Sequence, residues 1–202
     1  MSVSQSEFNV FREFLEKKSG IVLGDNKQYL VISRLKKLQE EHGIKSLTEL
    51  MTRMQAQPRG LLQEQVVDAM TTNETLWFRD TFPFDIMKNK VLPELLKKQP
   101  GQRLRIWSAA CSSGQEPYSL SMTVDEYDRA NLGQGKAAVQ IVATDLSPSV
   151  LQACKEGEYD SLAIARGLSR ERLDTYFDKT PANTWKVKQA IKSRIEFRLM
   201  NL

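Results

Sequence analysis

The spacing of apolar residues changes once along this chain of 202 residues, near Pro100-Gly101, and the change restricts it to a helical segment followed by alternating strands and helices. Before the turn the repeat is helical. Phe8, Phe11 and Leu15 share one face, and Lys17-Lys18-Ser19-Gly20 adds last-turn cations and a stop glycine. Val31, Leu35 and Leu38 repeat the pattern. Ser46-Leu47-Thr48-Glu49 reads as a capping box, in which the serine accepts from the third helical amide and the glutamate reaches back, ahead of Leu50, Met51 and Met54. Leu62, Val66, Ala69 and Met70 predict a fourth helix.

After the turn, Leu104–Ala109 reads as a strand, Pro117–Tyr127 as a helix, and Val139–Thr144 as an apolar strand of the buried parallel kind. Ser147-Pro148 offers an N-cap and an N1 proline to a helix through Val150, Leu151 and Cys154, and Ile195–Leu202 reads as a third strand. Such alternation predicts an α/β sheet with right-handed crossovers. The expected division is 1–99 for a helical domain and linker and 100–202 for the sheet domain.

Composition removes several classes of function. The longest apolar stretches, such as Ile106–Cys111 and Val139–Ala143, are too short to cross a bilayer, and the amino terminus is polar. A cytoplasmic chain without direct membrane insertion is expected. Cys111 and Cys154 have no close Cys or His companions, so neither a disulfide framework nor a metal site is expected. His42, in Glu40-Glu41-His42-Gly43, fits a helix end. The net charge of +4 is shared evenly by the two halves without a basic tail, which argues against nucleic acid as a partner.

In open α/β sheets ligands bind beyond the carboxyl ends of the strands. After the first strand, Ala110-Cys111-Ser112-Ser113-Gly114-Gln115-Glu116-Pro117 has small residues that allow close backbone approach, but not the three glycines of a dinucleotide loop. Glu116 at the helix start would repel a pyrophosphate and welcome a cationic amine; otherwise it simply favours the helix dipole. S-adenosylmethionine, which has an amine and a sulfonium and no phosphate, meets that requirement. Asp145 follows the second strand, where a carboxylate accepts from vicinal ribose hydroxyls, although Asp-Leu-Ser-Pro is also a turn and cap. Asn73-Glu74-Thr75-Leu76-Trp77-Phe78-Arg79-Asp80 runs a polar turn into two aromatics and an arginine suited to a ligand carboxylate or to a local acid.

The blocks Asn73 through Asp80, Trp107 through Leu120 and Ala143 through Ser147 resemble, in order and approximate spacing, those of the CheR family of chemotaxis receptor methyltransferases. Tyr159, Gly167-Leu168-Ser169, Tyr176-Phe177 and Phe197 through Asn201-Leu202 extend the resemblance over the chain. It implies a helical amino-terminal domain, then a Rossmann-like methyltransferase domain carrying a small antiparallel β insertion at 156–197. It implies that Asn73, Thr75 and Arg79 contact the cofactor, that Glu116 faces its methionyl end and Asp145 its ribose, and that Asn201 and Leu202 lie near the adenosine. The family continues beyond Leu202 with further strands, an Arg-Asn pair and an aromatic residue, so the chain is expected to be a fragment.

The implied reaction forms glutamate methyl esters on the cytoplasmic domain of chemotaxis receptors, with S-adenosylhomocysteine as product and the enzyme a monomer. A glutamate carboxylate, with a reference pKa near ~4.3, needs no general base, and no catalytic side chain is assigned. An NAD-dependent oxidoreductase is opposed by Glu116 and the missing glycines. Two rival readings are a nucleic-acid methyltransferase and a non-catalytic receptor-binding or cofactor-binding fragment. For receptor docking the resemblance points to the basic helix carrying Arg34, Lys36 and Lys37, which could equally be a solvated surface. Lys186, Lys188, Lys192, Arg194 and Arg198 form a second basic group in the insertion. The short connection from Asp178 to Lys186 favours docking on the receptor helix without a gripped tail.

Overall fold

The computed structural model describes residues 3–57, 60–134 and 136–202. They form two compact units: the chain up to Thr72 with Leu146–Pro148 and Asn201–Leu202, and Asn73–Asp145 with Ser149–Met200.

The first unit is built on α1 (Gln5–Ser19), α2 (Gln28–Glu41), α3 (Leu47–Ala56) and α4 (Leu61–Met70). Phe8, Phe11 and Leu15 are fully buried, with Leu35, Leu50 and Met54 in the same cluster. Each such side chain contributes roughly 1.5–3 kcal/mol before entropy is set against it. Gly20 ends α1 with a φ of 74° and donates to Glu16 O at 2.8 Å. A complete capping box starts α1, where Glu7 also accepts from Thr48 Oγ1 at 2.7 Å and so ties α1 to α3. At α3 the expected box forms by half. Ser46 Oγ accepts from Glu49 N at 3.0 Å, but the Glu49 carboxylate takes the Lys45 N–H at 2.9 Å.

In the second unit, α5 (Phe82–Ile86), a π-helical turn (Met87–Val91) and α6 (Leu92–Lys98) lead to β1 (Leu104–Ala109), α7 (Gln115–Ala130), β2 (Val139–Asp145) and α8 (Pro148–Glu156). Then come β3 (Glu158–Tyr159), α9 (Ser161–Ala165), α10 (Arg170–Tyr176), β4 (Phe177–Lys179), β5 (Trp185–Val187), α11 (Gln189–Lys192) and β6 (Ile195–Leu199). The larger sheet is parallel, in the order β1-β2-β6, with Ile106 beside Ile141 and Ala143 beside Phe197. The buried run of β2 sits in its middle, as a parallel strand covered on both faces requires. A second, antiparallel sheet has the order β3-β5-β4. Among the described residues no helix is long and apolar enough to cross a membrane.

The fold is the expected one, a helical segment followed by a mixed α/β unit with a small antiparallel sheet. The compact units part at Thr72, earlier than the change of period at Pro100-Gly101, because Phe84 and Leu92 pack into the core of the sheet unit. A helix on a sheet shows the same repeat as a helix in a bundle, so spacing alone does not separate them. The antiparallel strands end at Val187, and Ile195 already pairs with the parallel sheet through Ile141.

Candidate functional site

Beyond the carboxyl ends of the strands, the second unit holds a cleft of about 210 Å³. One wall runs from Glu74 through Asp80, and the other is formed by Ala110, Cys111, Ser112 and Glu116. Both walls have unusual backbone. Phe78, Asp80 and Thr81 on one side and Ala110 and Ser112 on the other have φ between 40° and 63°, and Asn183 is the sixth non-glycine residue with positive φ among those described. Each costs about 1–3 kcal/mol and persists only where surrounding contacts enforce it, so strain is concentrated at the cleft.

The enforcing contacts are specific. Cys111 N donates to Thr144 O at 2.8 Å, and Ser112 N donates to Asp145 Oδ2 at 2.7 Å, which fixes the loop against the end of β2. Across the cleft, Phe78 N donates to Ser119 Oγ at 3.1 Å, while Trp77 donates from its main chain to Arg166 O and from its indole to Ala163 O, each at 3.0 Å. Trp77 is completely buried.

The charged groups face the opening. Glu116, in the first turn of α7, is exposed, and its Oε1 accepts from Ser108 Oγ at 2.7 Å. Arg79 stands exposed in the opposite wall and has no ion pair among the described residues. Glu74 is bonded to Arg166 at 2.8 Å, and that contact holds its carboxyl below the usual range. Ser112 Oγ is buried with no hydrogen-bond partner among the described residues. A buried hydroxyl without a partner costs about 1–3 kcal/mol.

The sequence-derived residues therefore distribute unevenly. Thr75, Arg79 and Glu116 line the cleft; Asn73 is half-buried and does not, and Asp145 lies under the loop at 5% exposure. Asn201 and Leu202 are exposed and group with the first unit. On α2, Lys36 and Lys37 are exposed, whereas Arg34 donates to Met70 O at 2.5 Å and to Thr72 Oγ1 at 2.8 Å. Its guanidinium thus binds the carboxyl end of α4, where a cation is favoured. A larger cavity of about 760 Å³ lies at the amino ends of β1 and β2, away from the ligand side of such sheets.

Sequence reasoning placed Ser112 in the ligand-side loop and Ser108 and Tyr159 in the family's blocks but assigned none of the three a role in this site. Ser108 was legible as the one polar residue pointing inward from β1, at 1% exposure. The Ser112 and Tyr159 contacts join elements distant in sequence and leave no local signal.

A cation-seeking carboxylate at a helix start, an unpaired guanidinium opposite and no phosphate cradle suit an amino acid moiety, which S-adenosylmethionine carries. Comparison with known families agrees: residues 73–202 match the CheR methyltransferase, SAM binding domain, and residues 6–71 match the CheR methyltransferase, all-alpha domain. The chain belongs to the CheR methyltransferase family. This CheR chain is 68% identical over 202 residues to chemotaxis protein methyltransferase Cher2 of Pseudomonas putida, covering all of itself and 74% of that protein. It is 67% identical to chemotaxis protein methyltransferase 1 of Pseudomonas aeruginosa, covering 73% of it, and 46% identical over 203 residues to chemotaxis protein methyltransferase 1 of Vibrio cholerae, covering 72%. The methyl donor of this CheR protein is S-adenosylmethionine.

Proposed function

We propose that the protein methylates glutamate side chains on the cytoplasmic helices of chemotaxis receptors, acting as a monomer in the cytoplasm and releasing S-adenosylhomocysteine. The observation that carries the cofactor part is the pairing of Arg79 and Glu116 on opposite walls of one cleft. Arg79 would hold the carboxylate of the methionyl moiety and Glu116 its ammonium, with Thr75 beside them. Asp145 serves the ribose side, both by its place after β2 and by fixing Ser112. By the family resemblance Asn73 would also contact the cofactor, and Asn201 and Leu202 would lie near its adenosine.

S-adenosylmethionine, when bound, supplies an electrophilic methyl group. A glutamate carboxylate is already an anionic nucleophile at neutral pH, so the chain's residues need only align the two reactants and exclude water. No general base is assigned, and the cleft holds no Ser-His or Cys-His pair among the described residues. The names of the relatives support a chemotaxis substrate, and the exposed Lys36 and Lys37 on α2 offer a cationic face to a receptor helix rich in glutamates.

The test is transfer of isotope-labelled methyl groups to a receptor cytoplasmic fragment, read as methanol released by base. Labelled receptor that releases methanol is the expected result. Label that resists base would indicate another acceptor atom and overturn the ester assignment.

A further inference from the structure

The segment from Glu158 to Gly167, which begins in the small antiparallel sheet, reaches both walls of the cleft. At the first wall, Tyr159 donates its hydroxyl to Ser113 O at 2.7 Å. Gly114, at a φ of 93°, has that hydroxyl where a side chain would stand: a Cβ there would lie 2.9 Å from Tyr159 Oη and 3.0 Å from Cys154 Sγ. At the second wall, the carbonyls of Ala163 and Arg166 accept from Trp77, and the Arg166 guanidinium holds Glu74. The rings of Tyr159 and Trp77 meet edge to face at 4.9 Å, so the anchors of the two walls touch.

We propose that Tyr159 is a positioning residue for cofactor binding, setting the loop that leads into the first turn of α7, where Glu116 stands, relative to the wall that bears Arg79, and thereby coupling the antiparallel sheet to cofactor affinity. The proposal rests on the reading of the cleft as the S-adenosylmethionine site. Burial raises the Tyr159 phenol well above its ordinary value, so it stays a neutral donor throughout the working pH range. Coupling of this kind is reciprocal: whatever engages the sheet changes cofactor affinity by the factor with which cofactor changes that engagement.

The experiment compares Tyr159→Phe, which removes one hydroxyl and keeps the ring contacts, with Arg79→Ala and with Leu173→Ala. Leu173 is buried in the same core but touches neither wall through a hydrogen bond. Dissociation constants for S-adenosylhomocysteine are measured by calorimetry well below each variant's melting temperature. Kinetics at saturating receptor give KM for the methyl donor and kcat. Tyr159→Phe should weaken binding roughly tenfold, as loss of a buried hydrogen bond predicts, and raise KM with kcat within about twofold. Leu173→Ala should melt earlier and bind normally. If Arg79→Ala weakens binding while Tyr159→Phe does not, or if Leu173→Ala weakens it as much, positioning by Tyr159 is overturned. If neither Arg79→Ala nor Tyr159→Phe changes affinity, the cleft assignment itself is overturned.

Discussion

Gly167→Ala should damage the cleft wall far more than the same change at another glycine with positive φ, and Gly101→Ala supplies the comparison. Gly101 has a φ of 75° and nothing within 4 Å of the place a Cβ would take, so alanine there meets only the left-handed strain of about 1–2 kcal/mol. Gly167 has a φ of 100°, and a Cβ would lie 2.3 Å from Trp77 O. The Trp77 carbonyl must retreat, and Trp77 carries the two hydrogen bonds to α9 and the residue after it. Strain of about 1–3 kcal/mol, joined to partial loss of two bonds worth about 0.5–1.5 kcal/mol each, predicts a destabilisation of about 2–5 kcal/mol. For a chain of this size that places the melting temperature of Gly167→Ala roughly 4–10 °C below that of Gly101→Ala. Tryptophan fluorescence is the suitable probe, because Trp77, Trp107 and Trp185 all lie in the second unit and report on it alone. Equal stability in the two variants would refute the close approach of Gly167 to Trp77, and with it the argument that this segment braces the wall.

Arg79→Ala and Glu116→Gln should each weaken S-adenosylhomocysteine binding by about 1.5–3 kcal/mol, the range for hydrogen bonds to charged groups, and calorimetry showing unchanged affinity in both would remove their pairing with the ligand. Arg34→Ala should lower the stability of the helical unit in denaturant unfolding, because it frees the Met70 carbonyl. Lys36→Glu with Lys37→Glu should instead slow receptor methylation in a salt-dependent way without changing stability, and a rate equal to wild type at low salt would mark these lysines as solvated surface. Thr48 and Ser4 hold the Glu7 carboxyl down from its ordinary 4.5 to about 2. Its depressed value means that the contribution to stability is complete above about 4.5 and is lost as pH falls towards 2, so Glu7→Gln should flatten the acid limb of the unfolding curve, and an unchanged limb would exclude this link.

The elements were legible where the cause is local. The first strand runs from Leu104 to Ala109 as read after the turn at Pro100-Gly101, and α1 ends at Gly20 as its cations and glycine indicate. Glu116 and Arg79 were legible as well, because a carboxylate at a helix start and an arginine after a polar turn are chemical signals in one dimension. The tie from Ser112 to Asp145 spans 33 residues, and that from Trp77 to Ala163 spans 86, so neither has a sequence period to announce it. The positive φ of Ala110 and Ser112 goes with the bonds of their loop to Thr144 and Asp145 and falls on residues that do not favour it, which is why inspection of residue types could not find it.

Basic residues show the same limit from the other side. A run of cations in a sequence records charge but not what the charge faces. Arg34 caps α4, and Arg194 approaches Asp125 and Asp128 at 3.6 and 3.5 Å with only 16% of its side chain exposed. Lys192 donates to Glu156 O and Lys188 to Thr175 O, both at 2.9 Å. A guanidinium or ammonium held by carbonyls must keep that geometry or give up those bonds to reach an acidic partner, and either constraint offsets part of the gain. Lys36, Lys37 and Lys186 are exposed and have no such bonds to break among the described residues, apart from the long 3.7 Å pair of Lys37 with Glu41. On the proposed function, attraction for a glutamate-bearing helix would rest on fewer side chains than the sequence displays, and those are where substitutions should alter the rate of association and leave the fold intact.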